Sequence, residues 1–447
     1  FPFRASANFI DPNSYAALGY LLLIPALACC FRIQGVERGL LCAVMVLLIA
    51  GITATGSRAG WLAAVGGCMF VLWRCRKETA FKPIAMLLVT AFLFFLLEMQ
   101  WYSDFELAVR GNETVGVGSN NPGIQLRLLM WQSAWQLVLD GPWWGYGLGT
   151  FSLLYGAVRD PLDFITAGSF VHNDALQLLL EVGIPGLLLF VSLWLVMIVR
   201  LFLLLRKSKH DDYMEVAMLV AIILFGLHSL INFNFYNISL IMLLGMMMGY
   251  LDRGAAERVK LYSARLFWLI ALPVFSVVVV LAFDIAGERL QMPIMQSGLA
   301  AKLDQQACLD AEKVSFVRPS MPGMYVHKAI CALQYQQGCS AIVQAVSAMD
   351  EATQVSPLQP ELYALKGQIL MRAAATCIEN PVNAGYLEFQ RALSVNPAYL
   401  PARFVMANIQ RQSGHPDVAK SILLDGLHYG MEIRQLNILK QRIKQFE

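Results

Sequence analysis

Residues 168–186 read GSFVHNDALQLLLEVGIPG, and this stretch decides what kind of protein the chain is. It lies where a polar loop of about seventy residues gives way to a long apolar run, so its polar side chains belong at a membrane surface. Asn173, Gln177 and Glu181 recur at i, i+4 and i+8 on one helical face, and Leu176, Leu178, Leu179 and Leu180 fill the rest. His172 opens the segment, and Pro185 is set to restart the helix. A row of polar side chains on an apolar helix at a water boundary marks a candidate site.

Outward from that boundary the chain is too apolar for a soluble protein of its length. It is 57% hydrophobic and 15% charged, with a mean hydropathy of +0.55, which reads as an integral membrane protein. Runs long enough, or nearly so, to cross a bilayer lie at 14–31, 39–54, 60–75, 82–99, 183–205, 214–232, 236–251 and 265–284, eight in all. A net charge of only +3 argues against nucleic-acid binding. The sequence has no Gly-rich phosphate loop and no zinc-type Cys/His spacing, so no cofactor, nucleotide or metal is implied. The chain opens at Phe1 without an initiator Met or a charged leader, and is expected to be truncated, with further spans upstream.

Charge orients the spans. The connections 32–38, 74–82, 200–213 and 252–265 carry fourteen Lys and Arg, against five over about twice the length in the alternate segments up to residue 284. The basic set is cytoplasmic by this rule. The Gly56-Ser57-Arg58 turn, the 100–172 loop, the Asn232–Asn237 turn and everything after 285 then face outward. Within the loop, Leu126, Leu129, Met130, Ala134 and Leu137 recur at helical spacing, which predicts an amphipathic helix near 124–139 lying along the outer surface. It should stop at Asp140-Gly-Pro-Trp-Trp-Gly-Tyr-Gly-Leu-Gly149, whose aromatic rings suit the headgroup region.

After residue 285 hydrophobicity drops and no further run could span a membrane. The expected fold is all-α: a polytopic helical membrane domain over 1–284, followed by a soluble, periplasmic helical-hairpin domain over 285–447. The pattern Ala352-Thr-Gln-Val-Ser-Pro357 recurs forty residues on as Ala392-Leu-Ser-Val-Asn-Pro397, each copy ahead of a fresh amphipathic helix. It resembles tetratricopeptide-like hairpins, with a longer spacing than those repeats usually have. Cys308, Cys331, Cys339 and Cys377 all fall in this domain. Four cysteines in an oxidising compartment can form one or two disulfides, or stay as buried thiols.

Arg58 follows an apolar span among small residues. It either snorkels to lipid phosphates or grips a diphosphate bidentately. Arg127 has the same two readings. His172 could cap its helix, or as a neutral imidazole accept a proton from an acceptor hydroxyl beside the positive end of the following helix. Asn173 and Gln177 are read as binding sugar hydroxyls or phosphate oxygens. Glu181 either orients His172 or an Arg, or is a polar residue near the water boundary.

Three segments together carry a family resemblance: SRAGWLA at 57–63, RLLMWQSAWQLVLDGPWWGYGLGTF at 127–151 and VHNDALQLLLEVGIPG at 171–186. Their order and sidedness resemble the signatures of the O-antigen ligase and polymerase superfamily of bacterial membrane glycosyltransferases. FIDPNSYA, ending at Ala16, and LHSLINFNFYN at 227–237 resemble two weaker family segments. The resemblance implies transfer of a glycan from an undecaprenyl-diphosphate carrier to an acceptor hydroxyl on the periplasmic face of the inner membrane. It implies a metal-independent, inverting reaction, with Arg58 and Arg127 on the diphosphate and His172 assisting attack; Asn173, Gln177 and Glu181 are expected to bind substrate from the helical face they share, not from the resemblance. Lipid A core (O-antigen ligation), a repeat unit (polymerisation) and a protein all remain open as acceptors, and the helical repeats could hold a protein partner. From other classes, a transporter of a lipid-linked anion should show charges at mid-membrane and inverted repeats, which are absent. A membrane-anchored scaffold leaves the outward Arg/Arg/His set without a use.

Overall fold

The computed structural model describes residues 11–110, 122–163, 166, 168–207, 212–252, 302–317 and 321–445, and it is all-α over them. Two compact units divide the chain. The first holds residues 1–151 and 169–260, and the second holds 152–168 and 261–447. The sequence boundary at 284/285 and the eighth apolar run at 265–284 lie outside the described residues.

In the first unit the helices are α1 (Pro12–Cys30), α2 (Gly35–Ala54), α3 (Arg58–Arg74), α4 (Phe81–Arg110), α5 (Pro122–Asp140), α7 (Asp174–Lys207), α8 (Tyr213–Ser229) and α9 (Ile238–Leu251), with a 3₁₀ turn at Asn234–Tyr236. The α1 helix is apolar on every side, as a helix must be when it is surrounded. Tyr20, Leu21, Leu23, Ile24 and Leu27 are all fully buried, and α2, α3 and α8 pack around them. Small residues bring the helices close. Gly60 of α3 sits against Ala16, and Gly67 sits against Ile24 of α1 and Leu224 of α8. Asp11 caps α1, its carboxylate accepting the Ser14 N–H at 3.1 Å. By length and composition α1, α2 and 174–206 can each cross a membrane, and Phe81–Phe94, α8 and α9 are shorter apolar helices. Only 17% of the α2 span and 11% of the 174–206 span is buried, so most of each presents apolar side chains outward. The chain is an integral membrane protein.

Among the described residues, the second unit contains α6 (Phe151–Val158), apart from its first residue, and eight further helices. These are α10 (Gln305–Val317), α11 (Pro322–Tyr335), α12 (Gly338–Val355), α13 (Pro360–Met371), α14 (Pro381–Val395), α15 (Leu400–Gln412), α16 (Pro416–Asp425) and α17 (Ile433–Lys444). From α10 to α17 each helix packs on the next, as short connections require. Both copies of the recurring sequence pattern end a helix in one way: Ser356 N–H bonds the Ala352 carbonyl at 3.0 Å, and Asn396 N–H bonds that of Ala392 at 2.9 Å. Lys366 joins three helices, reaching Asp350 at 2.6 Å and Glu388 at 2.8 Å. Of the alternatives open for the four cysteines, the structure has two disulfides, Cys308–Cys331 and Cys339–Cys377, with Cα separations of 5.9 and 5.0 Å.

Candidate functional site

A break in α7 builds the site. Gly183 has φ 71° and ψ −163°, which no residue with a Cβ adopts readily, and Pro185 lacks an N–H. The helix therefore cannot supply its usual donors to the carbonyls of Leu180 and Glu181. The loop after α5 supplies them instead: Tyr146 N–H bonds Leu180 O at 3.0 Å and Gly147 N–H bonds Glu181 O at 2.8 Å. In return Ile184 N–H donates to Trp143 O at 2.9 Å. The backbones approach so closely that a Cβ on Gly145 would stand 2.5 Å from the Glu181 carbonyl. The segment 140–149, read from sequence as a helix stop with interfacial aromatic rings, is also the clamp on the α7 break.

The same turn of α7 carries a polar core. Glu181 and Gln177 are each only 1% exposed. One Glu181 carboxylate oxygen accepts the Tyr236 hydroxyl at 2.6 Å, and the other accepts Gln177 Nε2 at 3.2 Å and the Phe151 N–H at 3.3 Å. Burial and the bond to Glu181 push the Tyr236 phenol well above its ordinary pKa. Gln177 Oε1 accepts Val171 N–H at 3.0 Å, and Trp131 Nε1 of α5 donates to Val171 O at 3.0 Å. Asn173 caps α7, its side-chain oxygen accepting Leu176 N–H at 3.0 Å. Gln177 and Asn173 thus hold the backbone before and after His172, with Glu181 bracing Gln177.

His172 itself has φ 57°, a left-handed conformation that costs a residue with a Cβ about 1 kcal/mol or more and persists only where its neighbours impose it. Its ring meets Phe233 edge-on at 4.8 Å, and Phe233 stacks on Phe170 at 4.3 Å. The Nδ1 atom is out of solvent and has no hydrogen-bond partner among the described residues. Burial lowers the His172 pKa to about 4, with the Arg127 guanidinium adding to the fall and Asp11 and Asn232 opposing it. The imidazole is neutral at pH 7.

Arg127, on α5, and His172 are therefore electrostatic neighbours. Arg58 opens α3 with its side chain exposed, two residues before Gly60, which packs on Ala16 in the first turns of α1. That packing sets Arg58 at the end of the helices where Asp11 caps α1. Asn232 and Asp174, to which sequence reasoning gave no role, and His228, expected inside a span to make a structural hydrogen bond, complete the surroundings. Asn232 donates to Asp11 at 3.1 Å and to Asn234 at 2.8 Å. Asp174, buried at the start of α7, accepts Phe235 N–H at 3.1 Å. His228 bonds the Tyr20 hydroxyl at 3.2 Å inside the helices. Asp11 and Asn232 lie in the two weaker family segments, which was the signal available for them.

The profile of the O-antigen ligase family matches residues 43–191, a stretch that includes Arg58, Arg127, His172 and the α7 break. Two proteins, each named "Putative polysaccharide ligase", are similar to part of the chain. The one from Rickettsia conorii is 28% identical over 154 residues, 33% of this chain and 36% of its own length. The one from Rickettsia typhi is 27% identical over 167 residues, 36% of this chain and 39% of its own length. The matches thus take in under two fifths of these curated relatives. A crystal structure of yeast Tom70 aligns over 90% of this chain and 88% of its own at 12% identity, with a TM-score of 0.27. Residues 43–191, where the clamp, both arginines and His172 lie, are thus the part of the chain that is similar to the O-antigen ligase family.

Proposed function

We propose that the protein transfers a glycan from an undecaprenyl-diphosphate carrier to an acceptor hydroxyl on the periplasmic face of the inner membrane. The observation that carries this reading is a buried, neutral His172, held in a strained backbone beside Arg127 within the family's matched stretch. Arg127 and Arg58 would take the two phosphates of the donor, which a planar guanidinium grips in pairs of hydrogen bonds. The acceptor oxygen forms its bond to the anomeric carbon as the carbon–phosphate oxygen bond breaks, and the acceptor proton passes to His172. The anionic diphosphate raises the basicity of the imidazole beside it. Since the leaving group departs as an anion held by arginine, a general acid is not needed, and a single displacement inverts the anomeric centre. Transfer should persist in EDTA, because the guanidinium charges do the work a divalent ion would do.

Two observations support a periplasmic second unit: the basic bias of the alternate connections and the pair of disulfides, which form in oxidising compartments. Its helical hairpins, tetratricopeptide-like in sequence, would present a surface for the acceptor or a protein partner. Alkaline phosphatase fused after Glu447 should be active, and an inactive fusion would reverse the orientation. The central test is His172→Ala, assayed as transfer per inserted molecule. Near-complete loss with donor binding retained is expected, and wild-type specific activity would end the catalytic reading. Glycan products of a deletion strain then separate the acceptors: lost ligation, lost chain lengthening or an unmodified protein.

A further inference from the structure

Residues 152–168 lie in sequence within the outer loop of the membrane domain, yet they fold with the C-terminal helical domain. The segment is tied into one knot of polar contacts around Asp163, which is fully buried. Asp163 accepts the hydroxyls of Tyr155 and Thr166 and the Thr166 N–H. Arg159 donates to the carbonyls of Asp163 and Thr166, and its charge stands 3.7 Å from the Asp163 carboxylate. Two glycines set the knot on the helical domain. A Cβ on Gly156 would meet the Asn396 side chain, at 2.8 Å from Cγ and 3.0 Å from Oδ1. A Cβ on Gly430 would meet the carbonyl oxygens of Asp160 and Arg159 at 2.5 and 2.6 Å. Asn396 is the point at which the second copy of the recurring pattern carries Asn where the first has Ser356.

Both ends of the segment run directly into the candidate site. Phe151, the residue before it, gives its N–H to Glu181. Ser169, the residue after it, is three positions from His172, whose left-handed backbone needs support from both directions. We infer that the 152–168 segment is a docking element by which the C-terminal helical domain holds the His172 loop in its working conformation, with Gly156, Arg159 and Asp163 as positioning residues. This rests on the glycosyltransferase reading for its consequence, though not for the docking itself.

The test uses the full chain in nanodiscs, with two readouts: tryptic cleavage after Arg159, and transfer. In the wild type the docked segment protects Arg159. Gly156→Ala suits a helix but crowds Asn396. It should open Arg159 to trypsin and lower kcat roughly 10- to 100-fold with the donor KM kept. Asn396→Ala removes the crowded atoms, so the double variant Gly156→Ala/Asn396→Ala should regain both protection and rate. Gly430→Ala approaches the same seat from the other side and should reproduce the loss. Unchanged protection in both glycine variants would overturn the docking, and a released segment with wild-type transfer, or no rescue in the double variant, would overturn the coupling. Protection is read without reference to transfer, so an inactive wild type would count against the glycosyltransferase reading alone.

Discussion

Gly183→Ala tests whether the break in α7 is built as described. The Cβ would enter at φ 71°, ψ −163°, a region that costs about 1–3 kcal/mol for any residue other than Gly. It would also stand 2.5 Å from Trp144 Cα and against the Trp143 carbonyl, backbone atoms that cannot swing aside as a side chain can. Relief requires the 142–147 loop to lift, which breaks the bonds Tyr146 to Leu180, Gly147 to Glu181 and Ile184 to Trp143. At about 1 kcal/mol net each, the sum with the backbone term is about 4–6 kcal/mol. Gly66→Ala is the control. It lies in α3 with open space around its Cβ, and should shift stability by less than about 1 kcal/mol. Two assays in detergent suffice, the thermal midpoint and hydrogen exchange of the 142–149 peptide by mass spectrometry. Gly183→Ala should lower the midpoint and expose the Tyr146 and Gly147 amides, with transfer falling in step. A variant with wild-type midpoint and wild-type exchange would refute the clamp.

Glu181→Gln keeps an acceptor for Tyr236 and should retain most of the transfer activity, whereas Glu181→Ala strands three buried donors and should cost roughly 3–5 kcal/mol of stability; abolished transfer in a stable Glu181→Gln would move that residue onto the substrate. Arg58→Lys and Arg127→Lys keep the charge but lose the planar fork, and transfer per inserted molecule should fall roughly tenfold or more, which kinetics on purified protein would read. His172 has a folded pKa lowered to about 4 against about 6.5 unfolded, so the unfolded chain alone takes up its proton as pH falls between those values; its contribution to stability is complete above about 6.5 and is lost towards 4, and denaturation of His172→Gln should show a shallower loss over that window than wild type. Reducing Cys308–Cys331 and Cys339–Cys377 with an impermeant phosphine should destabilise the second unit by roughly 3–4 kcal/mol for each bond, as their loops of 23 and 38 residues imply, measurable by denaturant titration.

The difference between what was legible in the sequence and what was not follows the range of the interactions. Helix positions were legible because a membrane helix satisfies its own backbone and advertises itself by apolar length, and each run from 14–31 to 236–251 falls mainly on a helix. His172 and Arg58 could be singled out because a polar residue at the edge of an apolar run is costly unless used. The use of Gln177 and Glu181 was not legible. Their i, i+4 spacing says only that they share a face, and whether that face meets solvent or Tyr236 and Phe151 depends on chain 55 and 30 residues away. Likewise Gly183 and Gly145 each look like an ordinary helix stop or turn, and only their close approach shows that Tyr146 and Gly147 supply the donors that Ile184 and Pro185 withhold from Leu180 and Glu181. The assignment of 152–168 to the second unit was the least legible, because the residues that seat it, Asn396 and Gly430, lie more than two hundred positions downstream. A glycine at a close approach leaves no periodic trace. The physical consequence is that substitutions at Gly156, Gly183 and Gly430, none of which carries a functional group, should disturb the site more than many changes of charged surface residues nearby.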